Sequence, residues 1–143
     1  MLTICNGRFA NSVKKGIVFV VIFEDISMEK LLTDIQMSIR DRRFSLGDEK
    51  RLQVELAEAF THSDITFKRE IYLDKNNIVD FMIDGLAIEV KIHTKVSAMQ
   101  IYRQLERYCA FPEVAALMLM TSKAMSLPAS ISGQIFLSAD SSM

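Results

Sequence analysis

The dipeptide Asp84-Gly85 constrains this chain more than any other feature. It divides the stretch VDFMIDGLAIEVK, from Val79 to Lys91. An Asp-Gly pair between two short apolar runs specifies a β-hairpin with a type I′ turn. A two-residue loop also fixes register: Ile83 opposite Leu86, Met82 opposite Ala87, Phe81 opposite Ile88 and Asp80 opposite Glu89. Strand residues alternate faces. Val79, Phe81, Ile83, Ile88, Val90 and Ile92 should therefore share an apolar face, with Asp80, Glu89 and Lys91 on the other.

That register sets two carboxylates against each other, with Cβ atoms ~5 Å apart. At an effective dielectric of about 20 the two charges repel by roughly 3 kcal/mol. A proton, a nearby ammonium or a divalent cation would each offset this. Lys91 supplies part of the offset. Oxygens from an Asp-Glu pair also suit Mg²⁺, and Lys91 could then position or deprotonate a water beside the metal. The plainer alternative is a strand with Glu and Lys on its wet face.

The elements around the hairpin follow from hydrophobic period. Leu31, Leu32, Ile35 and Ile39 recur at helical spacing from Met28 to about Arg40. A basic loop follows, and Asp48 can cap a second helix from Glu49 to about Thr61, with Leu52, Leu56, Ala59 and Phe60 on one side. The period then changes to two. Strands are expected over Thr66–Leu73, Ile78–Ile83 and Leu86–Ile92, with a turn at Asp74-Lys75-Asn76-Asn77. Ser97 to Ala110 is a helix with Ile101, Leu105 and Tyr108 on one stripe, stopped by Pro112. Val114 to Thr121 (VAALMLMT) is continuously apolar, as in a strand covered on both faces. A short strand is expected from Gln134 to Ser138.

The flanking helices add polar groups. Gln104 lies beside the apolar stripe of its helix, within reach of the sheet, or is a solvated residue at a core boundary. Glu49 stands on the apolar side near the start of its own helix. A carboxylate there can bind metal directly or through water, or answer the helix dipole. Glu55 flanks the same stripe and is the alternative.

In this order the residues resemble the PD-(D/E)XK nuclease superfamily. Asp80 and Glu89-Val90-Lys91 match its Asp…Glu-x-Lys signature. Glu49, with Leu52 and Leu56 behind it, looks like the acidic helix residue of the Holliday-junction-resolvase branch. Gln104-Leu105-x-x-Tyr108 is similar to the Gln-x-x-x-Tyr motif of the RecB-like branch. The resemblance covers about residues 48–121, and Val79 stands where the signature proline would be. It implies an α/β (α+β) restriction-endonuclease-like core, helix–three strands–helix–strand, with a mixed central sheet flanked by helices. It also implies Mg²⁺- or Mn²⁺-dependent hydrolysis of DNA phosphodiester bonds, in recombination, repair or a mobile-element or phage setting. Asp80, Glu89 and the Val90 carbonyl would hold metal, and Glu49 would complete the shell. Lys91 would orient the attacking water and Gln104 would assist. The alternative function is a catalytically silent nucleic-acid-binding or assembly module on the same fold.

The net charge of −1 excludes binding by a global positive field. Phosphate contacts must come from local stretches: Arg40, Arg42 and Arg43; Lys68 and Arg69; Arg103 and Arg107. No aromatic stacking platform is visible in the sequence. Neither GxGxxG nor GxxxxGK[ST] occurs, so no nucleotide cofactor is expected. His62 and His93 lack companions at metal-ligand spacing. Cys5 and Cys109 read as reduced intracellular thiols.

The chain length of 143 residues suits one domain, read as 46–143 behind an N-terminal extension 1–45. The apolar run Gly16–Phe23 is too short to span a bilayer. It is a strand, a weak signal-peptide feature, or part of a non-native segment 1–27 ahead of a start at Met28. A cytoplasmic protein without membrane attachment is expected, acting on DNA, with a homodimer enlarging a small footprint.

Overall fold

The computed structural model describes residues 28–92 and 96–121 in full, and the backbone of strands at 18–23, 130–131 and 134–140. Cys5 and His93 lie outside the described residues. The chain is α+β, with three helices on a mixed sheet. In chain order the elements are β1 (Val18–Phe23), α1 (Met28–Ile39), α2 (Glu49–His62), β2 (Lys68–Asp74), β3 (Asn77–Ile83), β4 (Leu86–Lys91), α3 (Ala98–Cys109), β5 (Ala116–Thr121), β6 (Ser130–Ile131) and β7 (Gln134–Asp140). From α2 to β5 the order is helix, three strands, helix, strand.

The sheet order is β2-β3-β4-β5-β1-β7-β6. β2, β3 and β4 form an antiparallel meander, and β4 pairs with β5 in parallel after the α3 crossover. The N-terminal apolar run is β1, paired antiparallel to β5 and β7. Asp84 and Gly85 both take positive φ, 48° and 85°, as a type I′ turn requires. The pairs Phe81–Ile88, Met82–Ala87 and Ile83–Leu86 follow.

Helix boundaries have identifiable chemical causes. The Asp48 carboxylate accepts the Arg51 N–H at 3.2 Å and caps α2. Ser97 and Gln100 form a reciprocal capping box on α3. The sequence reading included Ser97 but missed Gln100.

Two apolar clusters sandwich the sheet. On one face α1 and α2 bury Leu32, Ile35, Ile39, Leu52, Leu56 and Phe60 against Phe81, Ile88, Val90 and Met118. Phe60, Phe67 and Phe81 meet edge to face with centroids 5.4–5.8 Å apart. On the other face α3 packs Ile101, Leu105 and Tyr108 on Ala87, Leu117 and Leu119. β5 alternates between the two clusters and is buried throughout. Because α1 shares a cluster with α2 and the sheet, a boundary at residue 45 does not separate two cores.

One predicted face is corrected. Val79 is fully buried, yet it joins the α3 cluster instead of sharing Phe81's side. Strict alternation therefore breaks at Asp80. The neighbouring strand carries the cause: Glu70 takes a left-handed φ of 51°, and the flanking pairs Arg69–Phe81 and Ile71–Val79 point to opposite faces. The ribbon turns over at the step that places Asp80.

Candidate functional site

Where the ribbon turns over, β3 and β4 stop exchanging backbone bonds, and Phe81–Ile88 is their last ladder pair. The next β4 amides on that side must find other acceptors. Two carboxylates provide them. Asp80 Oδ2 accepts the Val90 N–H at 2.8 Å, and Glu49 Oε1 accepts the Ile92 N–H at 3.0 Å. The first comes from β3 and the second from the first residue of α2. The expected Asp80–Glu89 ladder pair is thus replaced by a side-chain bond one residue further along. Val90 directs its N–H away from β5. A strand residue's carbonyl projects to the same side as its N–H, so the Val90 carbonyl also faces the acids.

Glu89 leaves the sheet plane toward α3. It is 4% exposed. Its Oε2 accepts the Gln104 amide at 3.2 Å and lies 3.4 Å from Lys91 Nζ. Its Oε1 is buried and has no hydrogen-bond partner. Burial, and then the Asp80 charge, push the Glu89 carboxyl up to about 8, while Lys91 and the Asp80 backbone N–H pull the other way. Burial also raises Asp80. The Val90 N–H opposes that rise, the Glu49 charge adds to it, and Lys91 and Lys50 offset it. Asp80, Glu89, Glu49 and Lys91 are therefore one electrostatic unit.

α3 is fastened to the same place. Gln104 Nε2 also donates to Tyr108 Oη at 2.8 Å, and that hydroxyl donates to the Ile78 carbonyl at 2.8 Å. Arg107 Nε donates to Asn77 Oδ1 at 3.2 Å. Gln104 is thereby a positioning contact of Glu89, and Tyr108 is its anchor. Burial, more than the Glu89 charge beside it, drives the Tyr108 hydroxyl's pKa far above its usual value.

Most of the remaining predicted residues lie away from these acids. Glu55 clamps a loop, accepting Ser45 N at 2.7 Å and Ser45 Oγ at 2.9 Å, with Arg51 3.3 Å away. Burial opposes ionisation there, but these bonds hold its carboxyl below the usual range. Arg42 lines a cleft on α2 with Val54, Glu58 and His62, about 13 Å along the helix from Glu49. Arg40 and Arg43 are exposed in the same loop. Lys68 lies toward the hairpin tip beside Asp84 and Gly85. Arg69 stacks over Phe81 at 5.5 Å. Arg103 is exposed on α3, one residue before Gln104.

Lys50 was missed by sequence reasoning, although it follows Glu49 at a helix N-terminus and acts on Asp80. Among the described residues, no group of three His, Cys, Asp or Glu side chains has metal-holding geometry. No described helix is long and apolar enough to cross a membrane. No protein-family model, curated protein or solved structure matches this chain.

Proposed function

We propose that the chain is a metal-dependent nuclease that hydrolyses DNA phosphodiester bonds, on the PD-(D/E)XK plan its sequence resembles. The observation that carries this reading is Glu89: a buried carboxylate beside Asp80 with one oxygen bereft of any partner. An all-oxygen site whose acids oppose each other's ionisation fits a hard divalent cation, Mg²⁺ or Mn²⁺, which would take the place of the Glu89 proton. Asp80, Glu89 and the Val90 carbonyl would hold the ion, with Glu49 completing the shell. When bound, such an ion supplies Lewis acidity toward a phosphoryl oxygen and lowers the pKa of its water.

The chain's own residues do the rest. Gln104 fixes the Glu89 oxygen that faces α3. Lys91 Nζ, one-fifth exposed and 3.4 Å from Glu89, orients a water and carries the proton balance. Lys50, exposed at the α2 N-terminus, meets a substrate phosphate. A second copy would widen the footprint of so short a chain.

One observation favours the silent nucleic-acid-binding or assembly reading. Asp80 and Glu49 each commit an oxygen to a β4 amide, and no three-acid cluster is formed among the described residues. A cleavage assay with Mg²⁺ and with Mn²⁺ separates the two. Linear, branched and single-stranded DNA should include a substrate that is cut, with loss of cutting in Glu89→Ala and Lys91→Ala. Salt-sensitive DNA binding with no cleavage of any substrate would establish the silent module.

A further inference from the structure

We infer that Tyr72 and Ile78 form a stacking platform for an unpaired DNA base beside Asp80, an inference that rests on the nuclease reading and names its substrate class. The two residues are cross-strand partners on β2 and β3. Tyr72 is 65% exposed and Ile78 38%, although both sit within regular strands. Their neighbours Ile71 and Val79 pack into the α3 cluster, so Tyr72 and Ile78 face the α2 side. β2 is the edge strand, and among the described residues no further strand lies beyond the ring. Ile78 is two residues from Asp80, about 7 Å along the strand.

The surroundings match a nucleotide. On the α2 face, next to the step that places Asp80, lies Arg69, its guanidinium over Phe81 and its buried Nε without an acceptor. Lys50 stands at the α2 N-terminus, close enough to act on the Asp80 charge. An exposed aromatic–aliphatic pair thus shares the α2 face with Arg69 and lies along the strand from Asp80, whose charge Lys50 offsets. A flat apolar base joined to an anionic phosphate fits that combination. A base inside a duplex hides its faces in the stack, so the platform selects single-stranded or branched DNA. Cross-strand pairing alone would explain why Tyr72 touches Ile78. It does not explain why both side chains stay exposed close to Asp80.

The test is equilibrium binding of the full chain, in EDTA, to a fluorescein-labelled dT16 strand and to a 16-base-pair duplex. Tyr72→Ala should weaken dT16 binding about tenfold and duplex binding less than about twofold. Tyr72→Phe should restore dT16 binding to within about twofold of wild type. Unchanged melting temperatures would show that both variants fold. The inference is overturned if wild type does not bind dT16, if Tyr72→Ala binds it normally, or if strand and duplex affinity fall together. A chain with the expected binding pattern but no cleavage in any metal would sustain the platform and overturn the nuclease reading. Cleavage with normal dT16 binding by Tyr72→Ala would do the reverse.

Discussion

Asp80 Oδ2 accepts the Val90 backbone N–H at 2.8 Å, so a carboxylate stands where the next strand amide contact would be. This bond holds β4 as it departs from β3 toward β5. It also keeps the Asp80 charge beside Glu89. Asp80→Asn retains an oxygen for Val90 but removes the charge. The Glu89 carboxyl should then titrate well below the value of about 8 that it has in the intact site. Carbon-13 NMR of the glutamate carboxyls reads this directly. An unchanged Glu89 titration in Asp80→Asn would detach the two acids.

Stability should fall as pH rises across neutrality in metal-free protein. The Glu89 carboxyl moves from 4.5 to about 8 on folding. Between those values the folded chain keeps a proton that the unfolded chain releases. This contribution is complete below about pH 4.5 and lost as pH rises through about 8. Asp80 is shifted the same way. Asp74 and Glu55, shifted down, lose their contribution only at the acid end. The optimum should lie at roughly pH 5 to 6. Melting in EDTA should give a higher Tm at pH 5.5 than at pH 8.5, and Glu89→Gln should flatten that slope.

Glu49 has two separable roles, a backbone clamp and a charge. Glu49→Ala leaves the Ile92 N–H without an acceptor and should cost about 1–2 kcal/mol. Glu49→Gln keeps an oxygen for that amide and should regain most of the loss. The two variants should be equally impaired in cleavage if the charge serves the site. Urea unfolding and a cleavage time course provide both readouts.

Tyr108→Phe removes the hydroxyl that ties Gln104 to the Ile78 carbonyl. Two polar groups lose a partner, so unfolding free energy should drop by about 1–3 kcal/mol. Gln104 should also lose its fixed orientation. Cleavage should fall, with KM less affected than kcat. A variant with normal stability and normal kcat would remove Tyr108 from the account.

Much of this arrangement is legible in the residues themselves. Asp84-Gly85 set the hairpin register because both positions accept positive φ, and VAALMLMT announced a strand buried on both faces. Helical spacing put Gln104 beside the buried stripe and within reach of the sheet, and the fold brings its amide 3.2 Å from Glu89. Other features have no local signature. Glu70 adopts a left-handed φ without being glycine, so the turnover that sends Val79 to the α3 side is invisible in the alternation pattern. Tyr72 reads as an ordinary strand residue, and its exposure follows from β2 lying at the sheet edge. The arginine stretches are clear in sequence, but tertiary packing carries Arg42 along α2, away from the acids.

The central claim is that Asp80 and Glu89 form a cation site. Calorimetric titration of metal-free chain with Mn²⁺ at pH 7.0, in buffers of differing ionisation enthalpy, tests it most directly. A carboxyl titrating at about 8 is mostly protonated there, so binding must displace its proton. The account predicts Mn²⁺ binding with proton release approaching one per ion, both lost in Glu89→Gln. Absence of Mn²⁺ binding, or binding that Glu89→Gln leaves unchanged, would contradict it.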